Sequence, residues 1–151
     1  MADNQSRQCV LAFLDGFYAG DVIGVENCCD DNFESLTHAP VELFPHLGHK
    51  RGKAWIAEAI QIQKQRYSSR RYALKSIIVQ GSRVAAILEA SLTKRSDQRI
   101  VQFTVAEFFS LRAGLIVEHR SFLDSFDLVQ QLLGHDLTDA FATSVSAAMR
   151  Q

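Results

Sequence analysis

Apolar residues recur at helical spacing from the beginning of the chain, where Val10, Phe13, Leu14, Phe17 and Tyr18 share one face of a helix over roughly residues 5–18. That face is expected to enter the core. Gly20 can end the helix in a left-handed conformation, and Asp21 can cap a second helix starting near Val22, so Gly20–Asp21 reads as a helix joint. Asp30 and Asp31 close the second helix, and the polar and aromatic alternation from Phe33 to His38 predicts a strand. Pro40 and Pro45 then interrupt regular structure, and Gly48 and Gly52 leave the segment permissive, as in a loop over a pocket. The Ala54–Gln65 run is helical, with Trp55, Ile56, Ala59, Ile60 and Gln63 inward and Glu58, Lys64 and Arg66 in water. Once buried, the Trp55 indole N–H needs an acceptor.

Four β-prone runs follow, Tyr72–Gln80, Arg83–Lys94, Ile100–Leu111 and Leu115–Asp124, separated by turn residues at Gly81–Ser82, Ser96–Asp97 and Ala113–Gly114. Such short connections predict an antiparallel meander. In the second run Val84, Ala86, Leu88, Ala90 and Leu92 form one side, and Ala85, Ile87 and Glu89 the other. In the third, Val101, Phe103, Val105, Glu107 and Phe109 share one parity, yet the other also holds apolar groups. One layer of helices covers only one sheet face, so the second is expected to meet another copy of the chain in a homodimer. Leu128, Val129, Leu132 and Leu133 predict a short helix ending at Gly134. Asp136 can cap a last helix whose stripe of Leu137, Ala140, Phe141, Ser144, Val145 and Ala148 is expected to pack over the main body. The fold class is therefore α+β, with helices on a curved antiparallel sheet. One domain over residues 1–151 is expected, with a helical extension over about 135–151.

Composition supports this picture. With 47% hydrophobic and 22% charged residues the chain can fill a core and keep a wet surface. The start, MADNQSRQ, lacks a secretory pattern and no apolar run approaches about 20 residues, so a soluble cytoplasmic protein without membrane contact is expected. Cys9 lies in a helical pattern and Cys28 adjoins Cys29, an arrangement that suits buried reduced thiols better than a disulfide framework. Charge is uneven. Residues 1–49 carry eight acids against one Arg, whereas residues 50–71 carry seven basic side chains against Glu58 alone. Without interleaved aromatic platforms this basic stretch reads as a solvated helix face, not a nucleic-acid surface. His38, His46 and His49, with Glu42, are spaced too irregularly for a recognised zinc pattern, and neither a metal nor an organic cofactor is expected.

Three local stretches, FYAGD at Phe17–Asp21, GHKRGKAWI at Gly48–Ile56 and FLDSFDLVQQLLG at Phe122–Gly134, give the chain a resemblance to a known family. Together with the order of elements, they resemble the SnoaL-like branch of the nuclear transport factor superfamily, over roughly residues 7–134. The resemblance implies a cone with a ligand pocket at its open side and frequent dimerisation through the sheet. It also implies a range of activities: polyketide cyclisation, steroid isomerisation, epoxide hydrolysis, or binding alone. The steroid-isomerase pattern is disfavoured, because Phe13 stands near its tyrosine position and Ser35, Leu36, Thr37 and His38 supply no carboxylate. The epoxide-hydrolase pattern lacks its Arg–x–Asp pair, although Asp124 could match its final acid. The polyketide-cyclase pattern fits best around Asp124. The expectation is a pocket for a small hydrophobic organic ligand in which Asp124 is the general base and His38 its proton-transfer partner. Arg120 and Phe122 share a strand face with Asp124 and are expected to bind the substrate, together with Trp55, Phe13, Phe17 and Glu89. The function expected is acid–base isomerisation or cyclisation of a carbonyl-containing metabolite. The alternative is a noncatalytic dimerising domain that binds a ligand or a protein.

Overall fold

The computed structural model describes all 151 residues. Its elements are α1 (Ala2–Ala19), α2 (Val22–Glu26), β1 (Cys29–His38), β2 (Gly48–Arg51), α3 (Ala54–Arg66), β3 (Tyr67–Gln80), β4 (Arg83–Lys94), β5 (Ile100–Arg112), β6 (Leu115–Leu123), α4 (Ser125–Leu133) and α5 (Thr138–Met149). The helix joint forms as the sequence suggests. Gly20 adopts φ 79°, and the Asp21 carboxylate accepts the Gly24 N–H at 3.0 Å.

Six strands form one curved sheet in the order β2-β1-β6-β5-β4-β3. The meander from β3 to β6 is antiparallel throughout, but β1 joins it through a parallel pairing with β6, so the sheet is mixed. The sheet also extends beyond the predicted strands. β1 starts at Cys29 rather than Phe33, β3 starts at Tyr67 rather than Tyr72, and the GHKR segment read as loop forms β2 against β1. Gly48 makes that entry possible with φ 85°, a conformation that a side chain would resist.

Helices α1 and α3 cover the concave face, giving the cone shape. Val10, Phe13 and Leu14 of α1 and Ile56 and Ile60 of α3 pack against Val84, Ala86, Leu88 and Ile116 of the sheet, all essentially without solvent contact. Full burial of a side chain of this size stabilises the fold by about 1.5–3 kcal/mol. Phe33 of β1 is fully buried at the centre of this layer, with its ring 6.2 Å from both Phe13 and Trp55.

One irregularity determines which β6 side chains point inward. The β5–β6 hairpin begins with Arg112 opposite Leu115 and Leu111 opposite Ile116, but the next pair is Ser110 opposite Glu118, leaving Val117 as an extra residue. A bulge of this kind shifts the register by one, which exchanges the two faces of the strand beyond it. Glu107 therefore stands opposite Ser121, and Ala106 opposite Phe122. His119 and Ser121 are buried on the concave side, while Arg120 and Phe122 are exposed on the outer face.

Near the C-terminus, α4 buries Leu128 against a second small cluster containing Phe44, Tyr67, Leu92 and Val101. Helix α5 was expected to pack over the main body, yet it buries no residue. Its attachment runs through α4: the Gln130 side-chain carbonyl accepts the Leu137 N–H at 2.7 Å, and Phe141 meets Phe126 edge-on with ring centres 6.0 Å apart. Phe141 and Val145 of its apolar stripe face solvent. No helix of the structure is long and apolar enough to cross a membrane.

Candidate active site

A cavity of about 110 Å³ opens on the concave side between α1, α3, the loop before β2 and the inner faces of β1, β5 and β6. Apolar protein cavities of about this scale admit a single aromatic ring. Phe13 and Phe17 of α1, Trp55 of α3 and Phe103 and Val105 of β5 supply apolar walls.

The polar end is built by strand register. Glu107 of β5 lies opposite Ser121 of β6, His119 is two residues along the same face, and Ser35 of β1 pairs with His119 across the parallel ladder. Four buried polar side chains meet as a result. His119 Nε2 is 3.2 Å from Glu107 Oε1, the Ser121 hydroxyl lies 3.2 Å from that same oxygen and 3.1 Å from Nε2, and Ser35 Oγ lies 3.0 Å from His119 Nδ1. The assignment that satisfies most of the network has Ser35 donating to Nδ1, with Nε2–H and Ser121 both donating to Glu107 Oε1. The second carboxylate oxygen, Oε2, is buried and has no partner.

Further polar side chains line the cavity, Thr37, Gln63, Arg66 and Tyr67 together with Tyr18 and His46, of which the last two bear on its chemistry. Burial, with the nearby carboxylate of Glu107 adding to it, raises the Tyr18 phenol well above its ordinary pKa, so Tyr18 keeps its proton and can donate. His46 belongs to the loop before β2. Its carbonyl accepts the Trp55 indole N–H at 2.7 Å, which meets the requirement set by burying that indole. Burial, reinforced by Arg66, lowers the pKa of the His46 ring, which stays neutral, and its Nδ1 has no partner.

Of the residues put forward from sequence, Phe13, Phe17 and Trp55 line this cavity, and the other five do not. Asp124 is exposed at the N-cap of α4, where it accepts the Asp127 N–H at 3.0 Å. His38 is exposed on the outer sheet face and stacks on Phe122, with centroids 4.2 Å apart and planes within 13°. Arg120 pairs with Glu118 at 3.2 Å and Glu89 with Lys75 at 4.0 Å, both on that outer face. The shared parity of Arg120 and Phe122 holds, but the Val117 bulge turns that parity outward. The residues missed by sequence reasoning are Ser35, His119, Ser121 and His46. Glu107 carried a visible signal as the one carboxylate in the apolar parity Val101, Phe103, Val105, Phe109. Nor does any group of three or more His, Cys, Asp or Glu side chains lie close enough to hold a metal ion. Among the residues of the histidine set, His49 instead faces Glu34 at 3.6 Å.

Asp124 at this cap makes a specific prediction. Asp124→Ala should lower stability by about 1 kcal/mol, whereas Asp124→Asn, an equally good cap, should change it by only a few tenths. Chemical denaturation of the two variants checks this, and equal losses would show that the cap is not what Asp124 contributes.

A SnoaL-like domain model matches residues 10–119, most of the chain. The chain belongs to the SnoaL-like domain family. Solved structures agree. A candidate isomerase from Rhodopseudomonas palustris is 25% identical, with a TM-score of 0.77 over 89% of this chain and 100% of that one. TerC co-crystallised with polyporic acid is 18% identical, with a TM-score of 0.75 over 84% and 97% of the two chains. An LEH-like epoxide hydrolase from M. tuberculosis is 19% identical, with a TM-score of 0.72 over 94% and 99%. At those lower identities the last two share the fold with this chain. No functionally curated protein matches it.

Proposed function

We propose that this protein binds a small, largely apolar organic molecule in the concave cavity and moves a proton on it, as an isomerase or cyclase of a carbonyl compound. The observation that carries this reading is Glu107, whose Oε1 is held by His119 and Ser121 while Oε2 is left without a partner in an apolar enclosure. A carboxylate so placed can take a proton from the carbon beside a carbonyl. The electron pair of the broken C–H bond moves to the carbonyl oxygen, and Tyr18 is the donor available to the resulting enolate. Return of the proton to another carbon gives isomerisation, whereas attack of the enolate on a second carbonyl gives ring closure. His119 is a positioning residue, fixing the orientation of Glu107 through a ring braced by Ser35. The relatives that bear isomerase and epoxide-hydrolase names, and the one crystallised with polyporic acid, support a small organic ligand. Asp124 and His38 lie outside the cavity, so in this reading Glu107 takes the base role first assigned to Asp124.

Incubation of the protein in D₂O with a panel of small ketones, followed by NMR, tests the proposal. Accelerated exchange of protons beside the carbonyl is expected for compounds that bind. Binding without any acceleration would sink the catalytic reading and leave a ligand receptor.

Pairing of two copies through the outer sheet face completes the proposal. Ile78, Ile87, Phe108 and Phe122 are exposed there, with the Phe108 and Phe122 rings edge-on at 5.8 Å. A sedimentation mass near twice 16.9 kDa is expected, returning towards the single-chain value in Phe108→Lys. A wild-type protein that stays monomeric across a broad concentration range removes the dimer from the account.

A further inference from the structure

We infer that His46 is a specificity-determining residue, and that the cavity selects ligands carrying a second neutral oxygen function besides the carbonyl whose neighbouring C–H faces Glu107. The inference rests on the same cavity as the proposed proton transfer, but it concerns recognition and holds or fails by binding alone.

Three buried side-chain nitrogen or oxygen atoms in the whole molecule lack a hydrogen-bond partner: Glu107 Oε2, His46 Nδ1 and Arg70 Nε. Glu107 and His46 are both buried residues that line the cavity. Leaving such a group unpaired forfeits the hydration it had in the unfolded chain with nothing in exchange. The fold therefore carries two such deficits around one small enclosure: the acceptor at Glu107 Oε2 is left for the acidic C–H of the substrate, and a second oxygen function on the ligand relieves the deficit at His46.

The placement of His46 is rigid. Its backbone carbonyl is fixed by the Trp55 indole at 2.7 Å, its ring lies edge-on to Phe44 at 6.5 Å, and the preceding Pro45 carbonyl accepts from Lys50 at 3.2 Å. With its backbone anchored at that carbonyl and its ring buried against Phe44, the imidazole is kept out of water. Because His46 stays neutral, it suits an uncharged hydroxyl or carbonyl better than an anionic group. The aromatic wall of Phe13, Phe17 and Trp55 calls for a flat apolar frame between the two polar ends. The ligand class that results is a compact hydroxy-ketone or diketone, with an aromatic ring as the simplest frame.

The test uses acetophenone and its three ring-hydroxylated isomers, titrated against wild type, His46→Leu, His46→Gln and Glu107→Gln by NMR near neutral pH. At least one hydroxylated isomer should bind wild type about tenfold more tightly than acetophenone, the ratio expected of one good added hydrogen bond. That preference should collapse to about unity in His46→Leu, persist in Glu107→Gln, and return in part in His46→Gln. His46→Gln also serves alone if the leucine variant fails to fold, since it should then weaken the preferred isomer without weakening acetophenone. Equal binding of all four compounds by wild type, or a preference undiminished in both His46→Leu and His46→Gln, overturns the inference. Either result would leave Glu107-dependent proton exchange intact. Conversely, a His46-dependent preference with no exchange would retire the proposed reaction and keep this subsite.

Discussion

Glu107→Gln should reduce catalysed proton exchange by about 10²–10⁴-fold, the usual contribution of a positioned general base, while leaving ligand binding and folding close to wild type. The reason lies in the geometry around Oε1. A glutamine carbonyl in its place still accepts from His119 Nε2–H and from Ser121, now 3.2 Å from that oxygen, so the polar cluster keeps its shape. The amide nitrogen that replaces Oε2 cannot accept a proton. A loss in kcat with little change in KM is therefore expected, the pattern of an interaction needed only in the transition state. A folded Glu107→Gln protein that keeps more than about a third of its turnover would remove Glu107 as the base, because the effect would then lie far below the range for general-base catalysis.

Phe33→Ala should be the most damaging single truncation in the core, costing about 3–5 kcal/mol of a total that for most domains is about 5–15 kcal/mol. Phe33 has no solvent contact, and its ring lies 6.2 Å from both Phe13 and Trp55. Its carbonyl also receives the Gly52 N–H at 2.7 Å, so the residue joins β1 to the chain entering α3. The neighbours cannot close the gap easily, since Phe13 also packs on Phe109 and Trp55 is hydrogen-bonded to His46. Urea denaturation reads the loss directly, and a change below about 1 kcal/mol would show that the layer repacks, contrary to the spread seen for buried aromatic truncations. Because Phe13 and Trp55 are also cavity walls, a folded Phe33→Ala protein should bind its ligand more weakly as well.

Helical periodicity made the cavity walls legible. Phe13 and Phe17 lie on the inward face of α1 and Trp55 on that of α3, and a stripe on a helix reports its own direction without help from distant residues. The strands of the meander were legible for a similar reason, since their turns are local. What could not be read depended on pairing between distant segments. β2 has only four residues and pairs across a loop holding two prolines, and the parallel contact of β1 with β6 joins residues more than eighty positions apart. The polar cluster draws on both kinds of hidden information. Ser35 reaches His119 only through the parallel ladder, and His119 and Ser121 point inward only because Val117 is extra. Strand alternation alone is blind to such a shift.

That extra residue acts as a phase selector for the whole of β6 beyond it. Were the ladder to run on from the Leu111–Ile116 pair with Val117 inside it, β6 would sit in the opposite phase, so that Glu107 would face Arg120 and Val105 would face Phe122. An enclosure floored by a carboxylate and an imidazole would become one holding an ion pair and another aromatic ring. The same residues would thus enclose unlike chemistry according to whether Val117 bulges out of the ladder or joins it, with no substitution at any residue of the cavity.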